Sequence, residues 1–348
     1  MSSDSLSSSS SSSTSTNHPR YNPRRRLGVR TNFFNLEEAE FKARFRFTKE
    51  SVRFILNKIK RKLPPQRIAR RDCITPMMQL LIALRFYATG SFQQVIGDTA
   101  KVSKASVCRI VGRVSHVLAL LKTNIIKMPT IEECPNNAAE FFALAGFPRV
   151  VGAIDCTHIK IMSPGGNRAE LYRNRKGFFS VNVQVVADAK LKIRNIIARW
   201  PGSAHDTTIW NDSPLAAEFE AGRYGQYCLL GDSGYPCLRY LLTPFLNCTT
   251  AGQEAYNRAQ ISTRTTVERC FGVLKRRFAC LHVGMQLKLP KIYRVIVACA
   301  VLHNMAIDLE DQILEPDEFE PEEEIGGINL ASAQNFSVRN ALVADFFS

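Results

Sequence analysis

Apolar and polar positions follow two different rhythms along this chain, and the change falls near residue 149. Before it, apolar positions recur with helical spacing. Thr48 can cap a helix over 49–62, which the Pro64-Pro65 pair stops. Thr75-Pro76 opens a second helix over 77–89, and Gly90 ends it. Ser91 can cap a short helix over 92–98, and after a brief turn Ser103 caps a longer one from Lys104. Val107, Ile110, Val111, Val114 and Leu118 fall at spacings of 3, 4 and 7, which makes one buried stripe. A short helix, a turn and a longer helix outline a helix-turn-helix. Lys101, Lys104, Arg109 and Arg113 lie off the stripe, where a recognition helix would meet phosphates or base edges. A plain helical bundle with cations on its outer face has the same outline.

From Arg149 the texture becomes strand-like. Residues 150–161 are rich in β-branched side chains, and 178–187 and 191–198 predict two more strands joined tightly at 188–190. A helix over 206–219 breaks at Pro214, and 227–231 predicts a short buried strand. Helices over about 256–278 and 291–307 follow. The second holds the most apolar run of the chain, 295–307. That run is too short to span a bilayer and contains His303 and Asn304, so it reads as a buried helix. Three strands, a helix, a strand and further helices predict an α/β fold, a mixed sheet flanked by helices behind an N-terminal helical region.

Composition adds boundaries. Residues 1–32 form a serine-rich tail with Arg24, Arg25 and Arg26, a stretch too polar to offset the entropy of ordering. The arginine triplet suits a nuclear-import signal, a phosphate-contacting arm or a solvated basic spot. Four segments result: a tail over 1–32, a helical region over 33–130, an α/β domain over 145–305 and a mostly disordered acidic tail over 308–348. No apolar leader opens the chain, and its ten cysteines form no C-x-x-C pair. A reducing location, nucleus or cytoplasm, with free thiols, is expected.

Charge is uneven. The formal net charge is +15, yet residues 308–348 carry eleven acids against one base, so 1–307 hold 45 bases and 20 acids. A body this basic suits polyanions such as nucleic acid, through neutralised phosphates and released counterions, although a soluble cationic surface has the same balance.

Several acids stand at the ends of predicted elements. Asp155 lies in the first strand, Asp232 directly follows 227–231, and Glu268 sits beside the apolar Val267 and Phe271. A carboxylate next to core residues needs a compensating charge, from a cation or an arginine. Phosphodiester cleavage needs clustered carboxylates around hard divalent ions, and oxygen donors without thiolates favour Mg²⁺ or Mn²⁺. Each acid also has a structural reading. Asp206 can be an N-cap, Asp155 and Asp232 can form Asx-turns, and Glu268 can pair with Arg264 or Lys275.

Five strings occur in order: Gly152-Ala153-Ile154-Asp155-Cys156-Thr157-His158-Ile159, Tyr172-Arg173-Asn174-Arg175-Lys176-Gly177-Phe178-Phe179-Ser180, Pro201-Gly202-Ser203-Ala204-His205-Asp206, Gly231-Asp232-Ser233-Gly234-Tyr235-Pro236 and Thr266-Val267-Glu268-Arg269-Cys270-Phe271-Gly272-Val273-Leu274-Lys275. Together, over 145–305, they resemble the DDE domain of PIF/Harbinger transposases and the host nucleases derived from them. The 35 residues between Asp232 and Glu268 match the interval of that family's catalytic pair. The resemblance implies an RNase H-like fold and a DNA nuclease working by a two-metal mechanism. Asp155, Asp232 and Glu268 would be its catalytic acids, and Asp155, Asp206, Asp232 and Glu268 its ligands for Mg²⁺ or Mn²⁺. Arg173, Arg175 and Lys176 would hold the DNA backbone, or form a solvated loop. His158 and His205 would orient acids or touch phosphate, or simply pack. A Myb-like accessory protein is an expected partner. Cys156 stands where the family has glycine, but no carboxylate of the set is missing. A domesticated protein that binds DNA without cutting is the alternative.

Overall fold

The structure is a computed structural model that describes residues 32–63, 74–311 and 336–347. The expectations for the serine-rich segment, for Arg24, Arg25 and Arg26, for the Pro64-Pro65 stop and for the acids between 312 and 335 lie outside the described residues.

Helices come first: α1 (Glu38–Phe45), α2 (Lys49–Ile59), α3 (Pro76–Thr89), α4 (Gln93–Ala100), α5 (Lys104–Ala119), the short α6 (Lys122–Ile125) and α7 (Cys134–Ala145). The side chains of Thr48, Thr75 and Ser103 accept the backbone N–H of Ser51, Met78 and Ser106, as their spacing predicts. Each such cap contributes about 1 kcal/mol. Ser91 does not cap α4; Phe92 holds that place with no side-chain bond. The turn to α5 passes through Lys101, whose φ of 54° closes α4 in the left-handed region.

Five strands follow: β1 (Val150–Lys160), β2 (Ser180–Ala187), β3 (Ile193–Pro201), β4 (Cys228–Leu230) and β5 (Leu241–Leu242). They form one sheet in the order β3-β2-β1-β4-β5. β1, β2 and β3 run antiparallel, whereas β4 lies parallel to β1 and β5 parallel to β4. β1 and β2 are covered on both faces, which is why they read as nearly continuous apolar runs; edge strand β3 alternates. Between β3 and β4 lie α8 (Asp206–Asn211) and α9 (Pro214–Glu220), divided at Pro214 as expected.

The long α10 (Ala251–Arg277), the short α11 (Cys280–Val283) and α12 (Leu289–Asp308) cover one face of the sheet. α12 is long and apolar enough to cross a membrane, yet most of it is buried, against α5 and β3. Its two polar residues explain themselves by contact. Asn304 pairs with both backbone groups of Ile193 at 2.8 Å, and His303 donates from Nε2 to the Leu191 carbonyl at 2.7 Å. They dock α12 onto the β2–β3 hairpin, whose tip holds Leu191 at a φ of 65°. One apolar cluster joins Phe41, Ile55 and Val111 of the N-terminal helices to Leu302, Phe271 and Val183. The helical region and the sheet therefore share a core.

The C-terminal end departs from expectation. Within the segment expected to be mostly disordered, residues 336–347 carry a helix, α13 (Phe336–Phe346). Phe347 packs on Phe147 and Tyr256, and Arg339 lies 3.8 Å from the Phe245 ring centre.

Candidate active site

The sheet order brings distant acids together. Asp155 sits mid-strand on β1, Asp232 just beyond β4, the parallel neighbour of β1, and Asp206 opens α8 after β3. Carboxylate oxygens of all three lie within 4.8 Å of one another. Gly202 sets the approach to α8. A Cβ there would stand 2.3 Å from Ser180 Oγ and 2.5 Å from the Tyr172 carbonyl, so only glycine lets the chain pass this close.

Each carboxylate is separately held. Asp155 is 7% exposed; Oδ1 accepts the Cys156 N–H at 2.7 Å, and Oδ2 accepts from Arg264 Nη1 at 3.0 Å. Asp232 Oδ1 accepts the Gly234 N–H at 3.0 Å, an Asx-turn of the kind expected. Asp206 is not the N-cap, a place taken by His205; its Oδ1 accepts from Asn182 Nδ2 at 3.1 Å. Glu268 lies outside the three-carboxylate group and pairs with Arg264 Nη2 at 2.6 Å. One guanidinium thus bridges Asp155 and Glu268, the arginine pairing that the sequence left open for Glu268.

The electrostatics follow from this crowding. Burial first, then the nearby Asp206 charge, push the Asp232 carboxyl above the usual carboxylate range, while Arg264 pulls the other way. Burial opposes the charge on Arg264, but Asp155, Glu268 and Asp232 outweigh it and hold its pKa above the ordinary value. The Cys156 thiol is raised by burial and then by Asp206, and it shares a 3.4 Å contact with the Tyr235 hydroxyl, so it stays a neutral packing group. The three-aspartate donor set is all carboxylate oxygen, the hard-donor kind that suits Mg²⁺, Mn²⁺ or Ca²⁺. Its spread is one that metal–oxygen bonds of ~2.0–2.6 Å can span. The residues therefore fit a divalent cation, which would also relieve the cost of charging Asp232.

Other residues in the sequence reading fall nearby or apart. Arg175 Nη2 lies 2.6 Å from His205 Nδ1, and Arg175 and Lys176 are both exposed. Arg173 is engaged by its own loop, through Glu170 at 2.7 Å, the Gly177 carbonyl at 2.8 Å and the Phe179 ring at 4.4 Å. His158 shares a 3.1 Å bond with Ser180 Oγ and meets Phe178 edge-on, a packed histidine. Lys104, Arg109 and Arg113 are exposed along α5. Asn182, Gln184 and Gln260 were not singled out by sequence reasoning. Gln184 Nε2 donates to Tyr235 Oη at 3.1 Å, and Gln260 Nε2 donates to the Gly231 carbonyl at 2.7 Å, steadying the residue before Asp232. Two amides at alternate positions of an otherwise apolar strand were the signal for the first pair.

Residues 154–304 match the family described as DDE superfamily endonuclease. Over 288 residues the chain is 34% identical to the protein named "Putative nuclease HARBI1" from Bos taurus and, equally, to the Homo sapiens protein of that name. These matches cover 80% of this chain and 82% of each relative. The chain belongs to the Harbinger transposase-derived nuclease family. Its mixed sheet is the RNase H-like fold of the DDE superfamily. "Protein ALP1-like" from Arabidopsis thaliana is 27% identical over 68% of this chain and 62% of its own length. No solved structure matches the chain.

Proposed function

We propose that this protein is a divalent-metal-dependent DNA endonuclease whose cation is held by Asp155, Asp206 and Asp232, with Glu268 as the further acid of the site. The convergence of three carboxylates from separate elements within 4.8 Å carries this reading. A bound divalent cation would polarise the scissile phosphate and lower the pKa of an attacking water. The chain's own residues supply the frame. Asn182 and the Gly234 N–H orient Asp206 and Asp232. Gln260 fixes the carbonyl before Asp232. Arg175 and Lys176 near His205, and Lys104, Arg109 and Arg113 on α5, are suited to phosphate contacts along a duplex. On this reading the work is nuclear, and Mg²⁺ and Mn²⁺ are the ions to try.

A second reading, a protein that binds DNA without cutting it, draws on the Arg264 bridge, which places one positive charge between Asp155 and Glu268. Cleavage of plasmid DNA with Mg²⁺ or Mn²⁺ separates the two. Wild type is expected to nick the duplex, and Asp155→Asn, Asp232→Asn and Glu268→Gln to slow it at least ~100-fold, the upper end for losing even an outer-shell partner of a metal. Equal rates in wild type and all three variants would transfer the assignment to binding alone.

A further inference from the structure

The four acids are unequally compensated. Arg264 is half in the core, its side chain 17% exposed, and it spends two different nitrogens on two different carboxylates, Asp155 Oδ2 at 3.0 Å and Glu268 Oε1 at 2.6 Å. Among the described residues, no ion pair reaches Asp206 or Asp232. One side of the site is therefore partly compensated by a guanidinium, while Asp206 and Asp232 are held by the neutral donors Asn182 and the Gly234 N–H.

We propose that Arg264 gates the loading of a second divalent cation: Asp155 and Glu268 can share one only after the guanidinium lets go of them. The gate rests on the reading of this cluster as a cation site. Arg264 and Glu268 stand four apart on the 27-residue α10, so the helix keeps the two side chains within reach of one another. Asp155 Oδ2 cannot give its lone pairs to Arg264 and to a close-lying cation in the same direction. Arginine also remains charged at any working pH, so it repels an incoming cation until it has moved away. At Asp206 and Asp232 the guanidinium makes no ion pair, so a first cation competes with it for Asp155 alone, whereas a second competes with it for both Asp155 and Glu268. Loading is thus sequential, a first cation at the three aspartates and a second, weaker one on the Glu268 side.

Manganese binding to the full chain without DNA, read from the free Mn²⁺ signal in electron paramagnetic resonance and by calorimetry, tests the gate independently of cleavage. Wild type is expected to bind one Mn²⁺ more tightly than a second. In Arg264→Gln the second Mn²⁺ should bind roughly tenfold tighter or more, the scale of a lost hydrogen bond between charged groups. Arg264→Lys keeps the charge but cannot fork across two carboxylates, so its second site should tighten by a smaller factor. Circular dichroism melts establish that each variant is folded; if Arg264→Gln is not, Arg264→Lys decides. A second-site affinity unchanged or weakened in the deciding variant overturns the gate, as do two equal sites in wild type. A wild type that binds no Mn²⁺ brings down the gate and the nuclease reading together.

Discussion

Burial lowers the His303 pKa to about 4, because a charged imidazole would lose its water without gaining a counter-charge. The ring is 1% exposed, and with Nε2 donating to Leu191 the neutral tautomer is the one the site fits. An unfolded histidine titrates near ~6.5. Between that value and about 4 the unfolded chain binds a proton that the folded one refuses. The His303 contribution is therefore complete above the unfolded pKa and is lost as pH falls through this window, by roughly 2–3 kcal/mol near its lower end. Urea unfolding of wild type and His303→Gln at neutral pH and again near the lower edge checks this. The variant should start less stable and lose less on acidification; parallel losses would mean that His303 does not titrate in this way. Burial acts on Asp232 by the same physics, disfavouring its charged form and so raising its carboxyl pKa.

At the scale of elements, α10 works as a ruler. Gln260, Arg264 and Glu268 recur every fourth residue on one face, meeting in turn the Gly231 carbonyl, Asp155 and their own helix neighbour. The helix thereby fixes the end of β4 relative to the middle of β1. The turn from β3 into α8 does the same for Asp206, and Gly202 is its tightest point. Gly202→Ala would force Ser180 or the backbone near Tyr172 to move, an overpacking cost of about 1–3 kcal/mol. A thermal melt should show that loss, and Mn²⁺ affinity should fall with it because Asp206 shifts. A stable variant with unchanged metal binding would mean that the turn relaxes without disturbing the site.

Across the whole molecule, the N-terminal helices and the α/β region are tied by polar contacts as well as by their common core. Asp311, just past α12, accepts the Thr48 N–H at 2.8 Å and pairs with Lys42 at 3.0 Å, while Arg277 donates to its carbonyl. Burial works against this carboxylate, but bonds from Ser51, Thr48 and Lys42 outweigh it and hold its pKa below the ordinary value. Asp311→Ala should destabilise the protein by about 2 kcal/mol, the range for a hydrogen bond to a charged group. The urea midpoint should drop with an unchanged slope. A second, earlier transition would instead show that the helical region unfolds separately.

Short-range physics was readable from the chain itself. Threonine and serine caps, prolines at helix starts, β-branched runs and the order of the acids depend on neighbours a few residues away, and those elements form nearly where expected. The family was legible too, because its strings carry residue types at fixed spacing. Only the tertiary structure decided which acids meet. That depends on β4 slotting beside β1 in parallel, a long-range pairing with no local signature. Folding likewise turned Asp206 toward Asn182 rather than its own helix, gave Glu268 to Arg264, and packed α13 on aromatic rings far upstream. In each case several partners were chemically suitable, and distance across the folded core selected one.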